Sequence, residues 1–199
     1  EGRWDVTIGG KRVQREPTPT ASDTAANAWL QSDAPGIRAL AKRAVGTATS
    51  DSQRMQHLQR FVSHYIRHKN LSVGYASALE VLHSREGDCT EHAVLLGALA
   101  RALNIPTRIV GGLVYMPHFA GKQAALVPHA WVQSWVDGHW RSYDAALGGF
   151  DSGHVALAFG NGAPWQFFAG MRTLGRLQVV SVTPSQTARD PKTDAATAR

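Results

Sequence analysis

From Asp88 to Leu103 the chain reads DCTEHAVLLGALARAL, and no other stretch restricts the possible folds as much. Asp88 followed three residues later by Glu91 is a capping-box pattern, so the spacing predicts a helix capped by Asp88 with Cys89 as its first residue. Val94, Leu95, Leu99 and Leu103 give that helix a broad apolar surface, and it reads as buried. Cys89 is the only cysteine in 199 residues, so the chain has no internal disulfide and the redox compartment stays open. At a helix N-terminus the unpaired backbone N–H groups and the positive dipole end favour a thiolate. A purely structural cysteine sits more often in mid-helix on the apolar face. Position alone leaves an inert buried thiol open; a partner histidine has to decide.

The rest of the chain is ordered as helices followed by strands. Helical patterns cover about 22 to 32, about 34 to 45 with Pro35 suited to a first turn, and about 51 to 68. In the third, Met55, Leu58, Phe61, Val62, Tyr65 and Ile66 form one core-facing stripe. Beyond the cysteine helix, residues 107 to 115, 129 to 136 and 139 to 145 are rich in β-branched and aromatic residues between turn formers. HVALAF and RLQVVSV add two more strands around a short apolar segment near WQFFAGM. This order predicts an α+β fold. Gly111-Gly112 interrupts a strand, which suggests a bulge or a close backbone approach. Residues 116 to 128 read as a loop, either a flap over a cleft or a plain connector.

With 43% hydrophobic and 18% charged residues, 21 to 184 read as one domain with one core. Residues 1 to 20 read as a strand pair around Gly9-Gly10 and a linker, consistent with the tail of an upstream domain. Residues 185 to 199 have too few apolar side chains to order and read as a disordered tail. A start at Glu1 without methionine fits a processed protein or a fragment. No apolar run reaches the roughly 18 residues of a membrane span. Of the net charge of +6, residues 33 to 69 contribute seven basic against two acidic side chains. The first reading is a solvated face and the second is steering of an acidic partner. Without aromatic interleaving or a nucleic-acid motif, no nucleic-acid partner is expected.

Nine histidines could partner the thiol. His64 and His68 have helical i, i+4 spacing but no third ligand, so no metal is expected there. Asp137-Gly138 favours a two-residue hairpin turn, which fixes the pairing across it and places Asp144 opposite Trp131. Strand side chains alternate, so His129 shares Trp131's face and becomes the diagonal neighbour of Asp144. A base with its orienter is what a cysteine nucleophile needs. A bulge in this hairpin would turn Asp144 away.

GDCTEHAVLLGALARALNIPTRIVGGLVY and HAWVQSWVDGHWRSYDAAL resemble the core of the transglutaminase-like superfamily. The resemblance runs from about Leu79 to Leu147 and extends to about Val182. It implies a papain-like α+β core, with a nucleophile helix packed on an antiparallel β-sheet and helices N-terminal to it. It also implies Cys89 as nucleophile, His129 as base and acid, Asp144 as the residue fixing the imidazole, and no cofactor. The implied reaction is attack on an amide of a peptide or protein to give a thioester. Release by water makes the protein a hydrolase, release by an amine a transglutaminase, and a catalytically silent peptide-binding module is the third reading. Trp131 is a candidate substrate-binding residue or shield, or a plain core tryptophan. Besides the Cys89 N–H, a second oxyanion donor is expected near Asn70 or Tyr75. The resemblance favours a periplasmic or other extracytoplasmic bacterial location.

Overall fold

The computed structural model describes residues 16–69 and 75–165. The strand pair expected before Glu16, the strand RLQVVSV, most of the apolar segment before it, Asn70 and the C-terminal tail lie outside the described residues.

Four helices precede a four-stranded sheet. Helix α1 (Pro35–Val45) begins on Pro35, whose missing N–H costs nothing in a first turn. Helix α2 (Asp51–Tyr65) is capped by Ser50, whose side chain accepts from the Gln53 N–H. It ends three residues before the expected stop, because Ile66 is extended and the N–H groups of Arg67 and His68 go to the Arg85 carbonyl. His64 and His68 are therefore not on one helix face. Met55, Leu58, Val62 and Ile66 are buried and Phe61 and Tyr65 half-buried, in agreement with the predicted stripe.

The segment 22 to 32 is a correction. Only Ala21–Asp23 form a 3-10 turn, and the Asn27 side chain accepts the N–H groups of Trp29 and Leu30. That local bonding competes with the helix ladder. The backbone is then used by distant partners: Ala78 donates to the Trp29 carbonyl and Arg101 to the Ala25 carbonyl. Helix α3 (Ala78–Ser84), capped by Ser77 and Glu80, has only seven residues and gives too little periodicity to read from sequence.

Helix α4 (Cys89–Ala102) is the centre of the molecule, with 12 of its 14 residues buried. Asp88 caps it as predicted, accepting from the Thr90 N–H while Glu91 accepts from the Asp88 N–H. Helices α1, α2 and α3 pack on one side of it, and strands β1 (Thr107–Phe119) and β2 (Lys122–Val136) on the other. Strands β3 (His139–Tyr143) and β4 (His154–Gly160) complete an antiparallel sheet in the order β3-β2-β1-β4.

The stretch 116 to 128 is not a loop: β1 and β2 continue through it as a two-stranded ribbon closed at Ala120-Gly121. The prolines hid this. Pro117 and Pro128 lie where β1 has run past β4 and β2 has not reached β3, so each strand has a free edge that tolerates a proline.

Gly111-Gly112 does mark a bulge, since the β1–β4 register shifts between the two. A Cβ on Gly112 would stand 2.1 Å from the Val155 carbonyl oxygen and 2.8 Å from the Trp131 ring. Gly112→Ala should therefore destabilise the domain by about 3 kcal/mol through overpacking. Gly149→Ala, which meets nothing within 4 Å, should change stability little. Denaturant midpoints of the two variants check this.

Candidate active site

The hairpin between β2 and β3 forms in the predicted register. Asp137 and Gly138 both have positive φ, at 54° and 79°, as a type I′ turn requires. Val136 then pairs with His139 and Val132 with Tyr143, without a bulge. Asp144 is the first residue beyond β3 rather than part of it, and its carboxylate meets His129: Nε2 lies 2.8 Å from Oδ2. Both side chains are buried.

The two oxygens of Asp144 do different work. Oδ1 accepts the N–H groups of Ala146 and Leu147 and so caps the turn after β3. Oδ2 accepts from His129 and, at 3.0 Å, from Nε2 of His154 at the start of β4. Helix α2 holds the same turn, since Gln59 accepts the Asp144 N–H and donates to the Gly148 carbonyl. Lys69 donates to the carbonyl of Ala146. Burial opposes ionisation of Asp144, but the hydrogen bonds from His129 and His154 outweigh it, so the carboxyl lies far below its usual range. An ionised carboxylate only accepts, so His129 carries its proton on Nε2. Its Nδ1 makes no hydrogen bond among the described residues.

Cys89 is half-buried at the start of α4. The backbone N–H of Ala130, next to His129, acts on the sulfur in the direction that favours the thiolate, which sets Cys89 beside β2. Among the described hydrogen bonds none joins thiol and imidazole directly. Burial, Asp88, Glu91 and Asp144 push the thiol up to about 12, and the Ala130 N–H offsets only part of that. The fold thus opposes the thiolate that the helix position favours. Iodoacetamide labelling of Cys89 should accordingly be slow at pH 7, roughly a thousandfold below an unperturbed thiol of pKa near 8.5, and climb through alkaline pH. Labelling followed across pH by intact mass checks this.

Trp131 is 2% exposed and lies beside the His129 ring. Its ring stacks on His129 with centroids 6.2 Å apart and meets His154 edge-on at 5.2 Å. Its Nε1 is buried without a partner among the described residues, as is Nε2 of His92 on α4. Tyr75, a candidate oxyanion donor, gives its hydroxyl to the Gly162 carbonyl at 2.7 Å. Glu91 is fully buried; its carboxylate accepts the N–H groups of Ala76 and Asp88 and fastens the segment before α3 to the start of α4.

His154 is the residue that sequence reasoning missed. In the sequence it is only the first residue of a strand, and the one available signal is an imidazole ten residues after Asp144 with Asp151 three residues before it. His129, Asp144 and His154 offer three donor atoms within 4.8 Å of one another, but all three are spent in mutual hydrogen bonds and no metal is assigned to them.

The cluster should leave a mark on stability. Asp144 is depressed below its ordinary 3.8, so its contribution is full above that value and is lost as pH falls. For His154 burial acts downward, yet hydrogen bonds to Asp144 and Asp151 win and raise it above 6.5. Its contribution is full below 6.5 and is lost as pH rises through the raised value. The difference in thermal midpoint between wild type and Asp144→Ala should be largest between about pH 4 and 6.5 and shrink on both sides.

The transglutaminase-like superfamily model matches residues 38–145, more than half of the chain and the whole of this constellation up to Ala145. The chain belongs to the transglutaminase-like superfamily. Two solved structures share the fold. A candidate cysteine protease from Cytophaga hutchinsonii superposes with a TM-score of 0.60 at 24% identity over 70% of this chain. The periplasmic domain of TgpA from Pseudomonas aeruginosa does so with a TM-score of 0.50 at 22% identity over 63%. An uncharacterised protein of Mycobacterium leprae (strain TN) is 36% identical over 72 residues, 35% of this chain. The transglutaminase-like chain spans 46% of each of the two solved chains and 25% of the mycobacterial protein. Among its described residues no helix is long and apolar enough to cross a membrane.

Proposed function

We propose that this domain is a cysteine acyl-transfer enzyme acting on amide bonds of a peptide or protein, with Cys89, His129 and Asp144 as its triad. The observation that carries the reading is the buried 2.8 Å contact between His129 Nε2 and Asp144. It fixes the tautomer that leaves Nδ1 free to take a proton, on a strand whose next N–H acts on the cysteine sulfur. With burial and three carboxylates pushing the thiol up, deprotonation belongs to the attack. The S–H proton passes to Nδ1 as sulfur bonds to the amide carbonyl carbon, and the backbone N–H of Cys89 faces the charge that develops on oxygen. The C–N bond breaks as His129 returns the proton to the leaving nitrogen, leaving the acyl group on sulfur as a thioester. Water then attacks, His129 takes its proton, and the sulfur leaves and recovers it. Trp131 serves as the apolar wall that keeps solvent from the imidazole.

Hydrolysis is preferred to cross-linking on the resemblance to bacterial members; an amine in place of water would make the same site a transglutaminase. An extracytoplasmic location belongs to the same proposal. Intact-mass analysis of the protein mixed with a peptide library, with and without a primary amine, tests the reading. An acyl adduct on Cys89, released by water as free acid, supports it, and release only into the amine product favours cross-linking. Peptide binding without any adduct would leave a silent binding module.

A further inference from the structure

His154 makes more contacts than a structural strand residue needs. Its Nε2 is 3.0 Å from Asp144 Oδ2, and its Nδ1 is 3.0 Å from Asp151 Oδ1 and 3.2 Å from the Asp151 carbonyl oxygen. These partners accept and do not donate. The one opposing contact, the Asp151 N–H aimed at Nδ1, is longer at 3.4 Å. An imidazole with both nitrogens facing acceptors satisfies them only by carrying both protons, hence a positive charge. Phe150 lies over it with centroids 4.5 Å apart, and Trp131 meets it edge-on. The titratable groups facing it are Asp144 after β3, Asp151 in the turn before β4 and His129 on β2; β1 presents Val114 opposite it.

We infer that His154 is a positioning residue of the proposed site: charged at neutral pH, it clamps the Asp144 carboxylate against His129 and leaves His129 neutral and ready to accept a proton. The inference rests on the triad reading given above. Its logic is charge balance. Asp144 alone would stabilise a protonated His129, whereas Asp144 already neutralised by His154 stabilises it less. A neutral imidazole is what removal of a thiol proton requires. The rise of the His154 ring above its ordinary value agrees with the charged state.

The test uses the full chain labelled with ¹⁵N-histidine, with resonances assigned through His154→Gln and His129→Gln. Both ring nitrogens of His154 should be protonated at pH 7, and Asp151→Asn should lower its titration. In His154→Gln the titration of His129, and with it the acid limb of kcat/KM, should move up by about one pH unit or more, since the Asp144 charge then acts on His129 alone. A single protonated nitrogen at pH 7, or an unmoved His129 titration, overturns the inference. If His154→Gln does not fold, Asp151→Asn decides, because it alters an exposed carboxylate: an unchanged His154 titration rejects the clamp. Failure of the wild type to form a thioester would remove the triad reading, and the nitrogen shifts would still judge the clamp separately.

Discussion

Cys89→Ala should abolish acyl-enzyme formation and lower turnover by on the order of 10⁶, the scale seen when a nucleophile is removed from a triad. Stability should hardly change. Cys89 is half-buried at the first helical position, alanine suits that position, and the Asp88 cap with its Glu91 return bond does not involve the thiol. Thermal unfolding and intact-mass kinetics on the same preparation check both halves. A variant that folds and still turns over substrate would move the nucleophile elsewhere, and the chain has no second cysteine to receive it.

Asp144→Asn should cost about 10⁴ in kcat, by analogy with the serine-protease triad. The geometry gives a specific reason. Oδ1 accepts two backbone N–H groups, so an asparagine places its carbonyl oxygen there and its NH₂ where two imidazole Nε2 atoms now converge. His129 can meet that NH₂ only by turning Nε2 into an acceptor. The proton then sits on Nδ1, the nitrogen that receives the thiol proton in the proposed reaction. Asp144→Ala should go further and destabilise the fold by about 3 to 5 kcal/mol, because two buried imidazoles and two backbone N–H groups lose their acceptor together. Steady-state kinetics of the Asn variant and denaturant melts of the Ala variant separate the chemical role from the structural one. Wild-type turnover in Asp144→Asn would take Asp144 out of the reaction and leave it as the cap of the turn after β3.

How much of this site could be read in advance depends on how far apart in the chain each interaction reaches. The cap of α4 was legible because Asp88 and Glu91 lie within one turn. The meeting of His129 with Asp144 was legible because Asp137-Gly138 sets a two-residue turn, and period-two alternation then carries the register outward residue by residue. Both rest on backbone geometry that nearby residues impose, whatever packs around them.

The remaining features depended on distant segments. Asn27 broke the helical pattern of 22 to 32, and the core then took up Leu30. The ribbon through 116 to 128 needed each strand to have the other as neighbour, while its prolines argued against strand. The thiol shows the contrast best. Sequence placed Cys89 at a helix N-terminus, where the local field favours a thiolate. The fold then buried it near Asp88, Glu91 and Asp144, and desolvation with three negative groups pushes the thiol up. His154 reaches Asp144 only because β4 adds to the free edge of β1, two strands away from β3 in the sheet. Sequence by itself determined where the cysteine helix starts and that His129 faces Asp144. Only the tertiary structure decided the upward shift of the thiol and the second histidine on that carboxylate, because charge and burial sum over every group that folding brings near.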